Sequence, residues 1–409
     1  MSAIASRTAS AQAKEQDETA LRPWRTLNVV TGIDAIAAEW REFEGRALLT
    51  PYQGHGWVRA FVETVGAAHG MDVRYVLLRD AQGVLVALLP LVLTRRNGVR
   101  FAEFIGGKHA NYHMGVYEPR FAAALDTSAT RVMLSDIAAA IGGLDAFVFA
   151  NQPVSWQGMP NPLAALASAP SPSGAYKLAL IPGDGEATLK RSMSRHAQKK
   201  LKTKRNRFAE IGSSRLVRAR EPQEIARLVD TFLAQKAARF REMGVLDPFA
   251  DPSVRRFLER AAQAGSGAPP ALELYALELD GKPVATYVGA VQGERFSGMA
   301  TSFEMDSPAV RMSPGEILLV ELIKLKCRDG FTVFDLGVGE ARYKTSICDE
   351  RDELVDSFVP ITARGRAFAW ISRAKRAAKR RVKRSPLLLK LAQRSSRWLR
   401  RAPAPPADE

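Results

Sequence analysis

Apolar positions switch between helical and strand periods along the chain, and the switches outline a mixed α/β protein. They recur at helical spacing through Ile33 to Phe43 and again through Trp57 to Ala67. Val73 to Leu78 and Val84 to Leu93 are near-continuous apolar runs joined by Asp80-Ala81-Gln82-Gly83, which predicts two paired strands. Arg100 to Ile105 reads as a further short strand closed by Gly106-Gly107, residues 121–140 as a helix, and Ala146 to Ala150 as a strand. Residues 151–175 hold Pro153, Pro160, Pro162, Pro170 and Pro172 among small residues and read as a linker.

The second half opens with a strand at Tyr176 to Ile181. A basic helix follows, whose apolar positions Leu189, Met193, Ala197, Leu201, Phe208 and Ile211 fall mostly on one face. Helices are predicted over 222–242 and 252–264, the latter opened by Asp251-Pro252. Leu272 to Leu279 and Pro283 to Gln292 form a hairpin across Asp280-Gly281. Arg295 to Glu304 is a third strand, 314–329 a helix and Val333 to Leu336 a fourth strand. This order predicts mixed sheets with flanking helices, and the first half is a looser version of it. No sequence repeat establishes duplication.

The 409 residues allow two or three domains, and 46% hydrophobic with 25% charged residues is ordinary globular composition. The longest apolar run, Val84 to Leu93, contains Pro90 and falls well short of the about 20 residues of a membrane-spanning helix. Residues 1–22 are small and polar with no apolar core, so they predict a disordered tail and no secretory signal. Two cysteines, Cys327 and Cys348, exclude a disulfide-stapled scaffold and suit a cytoplasmic protein.

The formal net charge of +16 is concentrated. Residues 187–207 hold nine basic side chains and 364–401 hold fifteen, with no acid in either segment. Without them, 35 basic side chains stand against 43 acidic ones. Such patches attract phosphate, nucleic acid or anionic lipid. The second patch mixes Phe368, Trp370, Ile371, Leu387, Leu391 and Trp398 with its charges and is interrupted by Pro386. It suits an anionic membrane surface, or a helix docked on the domain with a tail beyond it.

Candidate chemistry gathers late in the chain. Ser313-Pro314-Gly315-Glu316 has the pattern of a capping box, with Pro314 in the first helical position and Gly330 past the end. Gly315 is a poor helix former, and close approach of a ligand would explain it. The free N–H groups of a helix start bind phosphate. Then comes Phe334-Asp335-Leu336-Gly337-Val338-Gly339-Glu340-Ala341-Arg342-Tyr343-Lys344, an apolar strand ending in a carboxylate, glycines and four functional side chains. This is the composition of a strand-end active site. His109 and His113 stand four apart without a third ligand in sight, so no metal is expected. Cys348 has no base partner nearby in sequence, and no glycine-rich nucleotide fingerprint follows a strand.

These residues resemble the GNAT-fold acyltransferases of the CelD-like branch, associated with cellulose and exopolysaccharide gene clusters. The resemblance is carried by Ser192-Met193-Ser194-Arg195 through Arg207, Lys236-Ala237-Ala238-Arg239, Ser313-Pro314-Gly315, and Phe334-Asp335-Leu336-Gly337 to Tyr343-Lys344. In the first half it rests on Pro51-Tyr52-Gln53 with Trp57, Leu88-Leu89-Pro90-Leu91 and Phe104-Ile105-Gly106-Gly107. It departs at Ala110-Asn111-Tyr112, where relatives often have an acidic residue before the tyrosine.

The resemblance implies two GNAT-like lobes side by side, as in FemAB-type transferases, expected at 23–150 and 176–363. It also implies acyl transfer from acetyl-CoA or another acyl-CoA, with no metal. The acceptor would be an amine or hydroxyl of a sugar or a sugar-linked molecule. Such chemistry needs the donor's phosphates held, and Arg311, Ser313, Pro314 and Gly315 are the candidates. It needs a base, Glu340 or Asp335, with Tyr343 to protonate the thiolate and Lys344 to polarise the carbonyl or hold a substrate group. Arg195, Lys199 and Arg239 could bind an anionic acceptor. The alternatives are a FemAB-type transferase using aminoacyl-tRNA and a non-catalytic accessory protein at a membrane synthase. The first lacks the long helical arm that such enzymes often carry, so a nucleic-acid partner is not expected. The location expected is cytoplasmic, with 364–401 reaching the inner membrane face.

Overall fold

The computed structural model describes residues 22–265 and 269–371. The expected N-terminal tail through residue 21 and the basic segment from residue 372 onward lie outside the described residues.

Two mixed sheets organise the chain. The first contains β1 (Thr26–Val30), β2 (Asp72–Arg79), β3 (Leu85–Arg96), β4 (Val99–Phe104), β5 (Val116–Tyr117) and β6 (Ala146–Pro153). A two-stranded ribbon follows, β7 (Ser155–Trp156) with β8 (Met159–Pro160), and then β9 (Ala169–Pro170) at the edge of the first sheet. The second sheet contains β10 (Ala175–Ala179), β11 (Ser214–Arg218), β12 (Leu272–Leu279), β13 (Lys282–Gln292), β14 (Arg295–Phe303), β15 (Val333–Val338) and β16 (Glu350–Asp352). Its strand order is β11-β12-β13-β14-β15-β10-β16. In each sheet the consecutive strands are antiparallel until one parallel pair, β4 with β6 and β14 with β15.

The predicted hairpins are present, and the helices are close to their expected places. These are α1 (Ala37–Glu44), α2 (His55–Phe61, continued by a π-helical turn, Val62–Gly66), α3 (Pro119–Ala124), α4 (Thr127–Ile141), α5 (Gly185–Ser192), α6 (Arg195–Glu210), α7 (Pro222–Met243), α8 (Pro252–Ala262), α9 (Pro314–Arg328) and α10 (Arg342–Ile347). Two expected single helices are each a pair. The 121–140 helix breaks after Ala124 because Asp126 accepts from Ala129 N–H at 2.7 Å and starts a new turn. The basic helix breaks at Met193, which is extended, and Ser194 restarts it by accepting from Ala197 N–H at 3.2 Å. Leu189, Met193, Leu201 and Phe208 still reach the core, while Ile211 is exposed.

Two boundaries differ from expectation. Residues 151–175 are packed, not an open linker. Trp156, Leu163 and Leu166 are buried, and Asn161 ties the turn at Pro162–Leu166 to Pro153 O at 3.0 Å. The chain also returns to the first lobe at its end. β17 (Leu354–Pro360) pairs antiparallel with β6, so the second lobe does not own everything up to 363. Phe358 and Phe368 stack at 6.1 Å over this sheet, with Phe101 at 5.0 Å from Phe368.

Alternation along the second sheet sorts its helices onto two faces. Leu272, Leu274 and Ala276 join Leu228 and Phe232 of α7 in one core, while Tyr275 and Leu277 join Ile317, Leu318 and Leu322 of α9 in the other. The first of these cores is continuous with the first lobe. There Phe257 of α8 meets Trp57 at 5.1 Å and Phe61 at 5.2 Å.

Candidate active site

The parallel pairing of β14 with β15 covers only Arg295–Ser297 and Val333–Asp335, although β14 continues to Phe303. Beyond Ser297 and Asp335 the strands diverge, and polar groups of both lobes converge there. Asp335 is fully buried. Its Oδ1 accepts from the Tyr112 hydroxyl at 2.8 Å and Gly337 N–H at 2.7 Å. Its Oδ2 accepts from the Ser297 hydroxyl at 3.0 Å and Arg295 Nη1 at 3.1 Å. Because Ser297 donates to Asp335, Tyr52 must donate to Ser297 across their 3.1 Å contact. Asn111 Nδ2 in turn donates to Tyr52 at 2.7 Å and to Gly298 O at 2.8 Å. Burial, and then the Asp335 charge, hold the Tyr52 and Tyr112 phenols above their ordinary pKa, so both stay neutral donors. Arg295 lies over the Trp156 ring at 4.2 Å.

Gly337 is required here. Its φ is +72°, and an added Cβ would stand 2.4 Å from Asn111 Nδ2 and 2.7 Å from Gly298 O. Asn111 therefore fills the root of the divergence. Tyr52, Asn111, Arg295 and Ser297 were not among the candidates. Tyr52 and Asn111 stood out only as carriers of the resemblance or a departure from it, and Arg295 and Ser297 gave no signal in an ordinary strand.

The expected catalytic residues separate into two kinds. Asp335 and Lys344 face inward. Lys344 Nζ donates to the carbonyls of Gly337 at 3.0 Å and Val338 at 2.9 Å, and burial pushes its pKa down. Glu340 and Tyr343 face outward. Glu340 has 57% of its side chain exposed, accepts from the Tyr176 hydroxyl at 2.7 Å and pairs with Arg351 at 3.1 Å. Glu340 is thus a surface carboxylate held by two partners. Burial also pushes the Cys348 thiol up to about 12, which keeps it from acting as a thiolate near neutral pH.

The start of α9 lies beside the far end of β14. Among the described residues outside its own helix, a Cβ on Gly315 would approach Phe303 alone, at 3.9 Å, so packing does not explain the glycine. Ser313 is not the expected capping hydroxyl. It sits at φ +57° and its side chain makes no cap bond. Instead Lys204 of α6 donates to the Ser313 hydroxyl at 3.1 Å and to the Glu316 carboxylate, which replaces the predicted capping box. Pro314 is in the first turn as expected, and Arg311 is exposed just before it. The three acceptor candidates do not form one group. Arg195 and Lys199 are exposed on α6, which packs with α9, whereas Arg239 is on α7 at the other face and pairs with Glu242 at 2.5 Å.

Residues 195–345 match the family model described as the acetyltransferase (GNAT) domain. A search of curated proteins finds no match. Among solved structures, FemX is similar with a TM-score of 0.54 at 10% identity, over 81% of this chain and 97% of FemX. The structure of L-PGS from Bacillus licheniformis gives a TM-score of 0.45 at 12% identity, over 78% of this chain and 95% of that one. A tandem GNAT protein from the clavulanic acid biosynthesis pathway gives 0.43 at 11% identity, over 81% and 98%. The fold of two GNAT-like lobes is shared with FemX, and the match to the acetyltransferase (GNAT) domain model falls in the second lobe.

Proposed function

We propose that the chain is an acyltransferase moving an acetyl or other acyl group from a coenzyme A thioester to an amine or hydroxyl of a sugar or sugar-linked acceptor. The observation that carries this is the divergence of β14 from β15 within the GNAT domain, with the start of α9 at its far end. An amide-bearing pantetheine arm can add to an open strand edge by backbone hydrogen bonds. Its phosphates would then meet the α9 start at Ser313, Pro314 and Gly315, with Arg311 and the basic α6 around them.

In this reading Asp335 positions and Glu340 reacts. The acceptor nitrogen or oxygen attacks the thioester carbonyl carbon, its proton passes to Glu340, the C–S bond breaks, and Tyr343 protonates the departing sulfur. Lys344 holds the Gly337–Val338 turn that carries Glu340. Arg195 and Lys199 are placed to attract an anionic acceptor or the donor's phosphates. Arg239 would serve only a ligand reaching the α7 face. A role in exopolysaccharide synthesis, as in the CelD-like branch, follows the same reading. So does a cytoplasmic location with 364–401 at the membrane. Among the described residues no helix is long and apolar enough to cross a membrane.

Glu340→Gln tests the chemistry. We expect kcat for thioester-dependent transfer to fall by about 100-fold or more, with stability changed by about 0.5 kcal/mol at most. Full activity in this variant would remove Glu340 from the mechanism. If the chain instead bound RNA with steep salt dependence and ignored thioesters, the aminoacyl-tRNA reading would replace this one.

A further inference from the structure

The Lys236-Ala237-Ala238-Arg239 segment lies on α7, on the sheet face opposite α9, and the proposed transfer makes no use of Lys236. Phe232, Lys236 and Phe240 stand four residues apart and so share one face of the helix. Phe249, in the loop that follows, packs edge-on against Phe232 at 5.1 Å and completes the group. Lys236 Nζ lies 5.8 Å from the Phe232 ring, 5.6 Å from Phe240 and 5.5 Å from Phe249.

These distances approach the limit of cation–π attraction, about 6 Å, while rings in place of water disfavour the charged form. Burial accordingly pushes the Lys236 amine down. Asp247 is the acid that opposes this, but it accepts from Phe249 N–H at 2.8 Å and forms no ion pair with Lys236 among the described residues. Arg239 and Glu242, the charges of the next turn of α7, pair with each other.

Two further lysines have amines lowered by burial, Lys326 and Lys344. Both donate hydrogen bonds, to Glu273 and to the Gly337 and Val338 carbonyls. Lys236 donates none among the described residues. It is half-buried, and its Nζ is not one of the fully buried atoms left without a partner, so it stays open to solvent. An amine that is unbonded, partly desolvated and reachable has what a lysine nucleophile requires.

We propose that Lys236 is an acylation site of this chain, taking its acyl group from an acyl-CoA thioester in solution. The Nζ lone pair attacks the carbonyl carbon, a C–N bond forms as the C–S bond breaks, and the proton leaving nitrogen ends on the departing sulfur as free thiol. The amide formed carries no charge, so it suits the three rings better than the ammonium does. This goes beyond the transfer proposed above, because the acceptor is within the chain and the α9 start takes no part.

The full chain is incubated with acetyl-CoA, and separately with acetyl phosphate, and acetylation of each lysine is followed over time by peptide mass spectrometry. With acetyl-CoA, Lys236 should react roughly tenfold faster than the exposed Lys199 and Lys200, and Lys236→Arg should lose that mark and no other. Phe240 is half-buried, so Phe240→Ala readmits water to the amine without emptying the core, and thermal melts confirm the fold. Its Lys236 rate should fall to that of Lys199, and Gly315→Glu should leave the rate unchanged. Lys236 reacting no faster than Lys199, or fast with acetyl phosphate alone, would overturn the proposal. A faster rate in Phe240→Ala would overturn it too, since the rings would then shield the amine instead of activating it. Loss of the mark in Gly315→Glu would overturn direct reaction from solution while supporting the donor site. The other failures leave the donor reading standing, because acetyl-CoA binding at α9 decides that separately.

Discussion

Asp335 receives four hydrogen bonds, two on each oxygen, which leaves it no free position for accepting a substrate proton. Its substitution should therefore act on stability. Asp335→Asn removes the charge opposite the buried Arg295 and puts an amide donor among existing donors. Breaking one half of such a buried pair costs about 3–5 kcal/mol, and urea unfolding would read it. Unchanged stability with lost activity would make Asp335 a chemical participant instead. The sequence made Asp335, Gly337 and Lys344 visible because carboxylate, glycine and amine stand together after an apolar strand. Their partners were not visible. Tyr112 and Asp335 are 223 positions apart, and only the docking of two lobes decides that they meet. Glu340 and Asp335 looked equivalent in the sequence, and burial alone distinguishes them.

Helix starts were legible where an oxygen-bearing side chain precedes an apolar period, as at Asp251, but competing starts were missed inside long helical patterns. Ser194 is such a start within the basic segment. Ser194→Ala should cost about 1 kcal/mol, measured by chemical denaturation, because Ala197 N–H loses its acceptor. No change would mean that α5 and α6 are held by packing alone. The α9 start shows the converse. The Ser-Pro-Gly-Glu pattern fits a capping box, yet Lys204 from α6 takes both side chains. A cation 109 positions away from Ser313 outcompetes the local bond, and no local pattern could reveal that. The link ties the basic helix to the proposed donor site.

Two lobes were implied by the resemblance, since the order of strands and helices in the first half is only a looser version of the second, whereas the return of β17 to the first sheet was not foreseeable, since a short strand carries no address for its partner. The molecule also carries a pH signature. Burial holds His55, His109 and His113 neutral to a pKa of about 4 against 6.5 when unfolded. A lowered folded pKa means stability is present above 6.5 and lost as pH falls toward 4, together on the order of several kcal/mol. Glu44 runs the other way. Burial raises it from 4.5 to about 7, so its contribution is present below 4.5 and lost as pH rises through 7. Three imidazoles outweigh one carboxyl, so denaturant midpoints should fall between pH 6.5 and pH 4. A flat profile would show that the imidazoles are hydrated. An acyltransferase of the proposed kind binds its acyl thioester at the start of α9. Titration with acetyl-CoA in a calorimeter, on the unaltered chain and on Gly315→Glu, tests it most directly. Saturable binding at α9 that the added carboxylate abolishes is expected, and equal binding by both proteins, or none by either, would overturn the donor site.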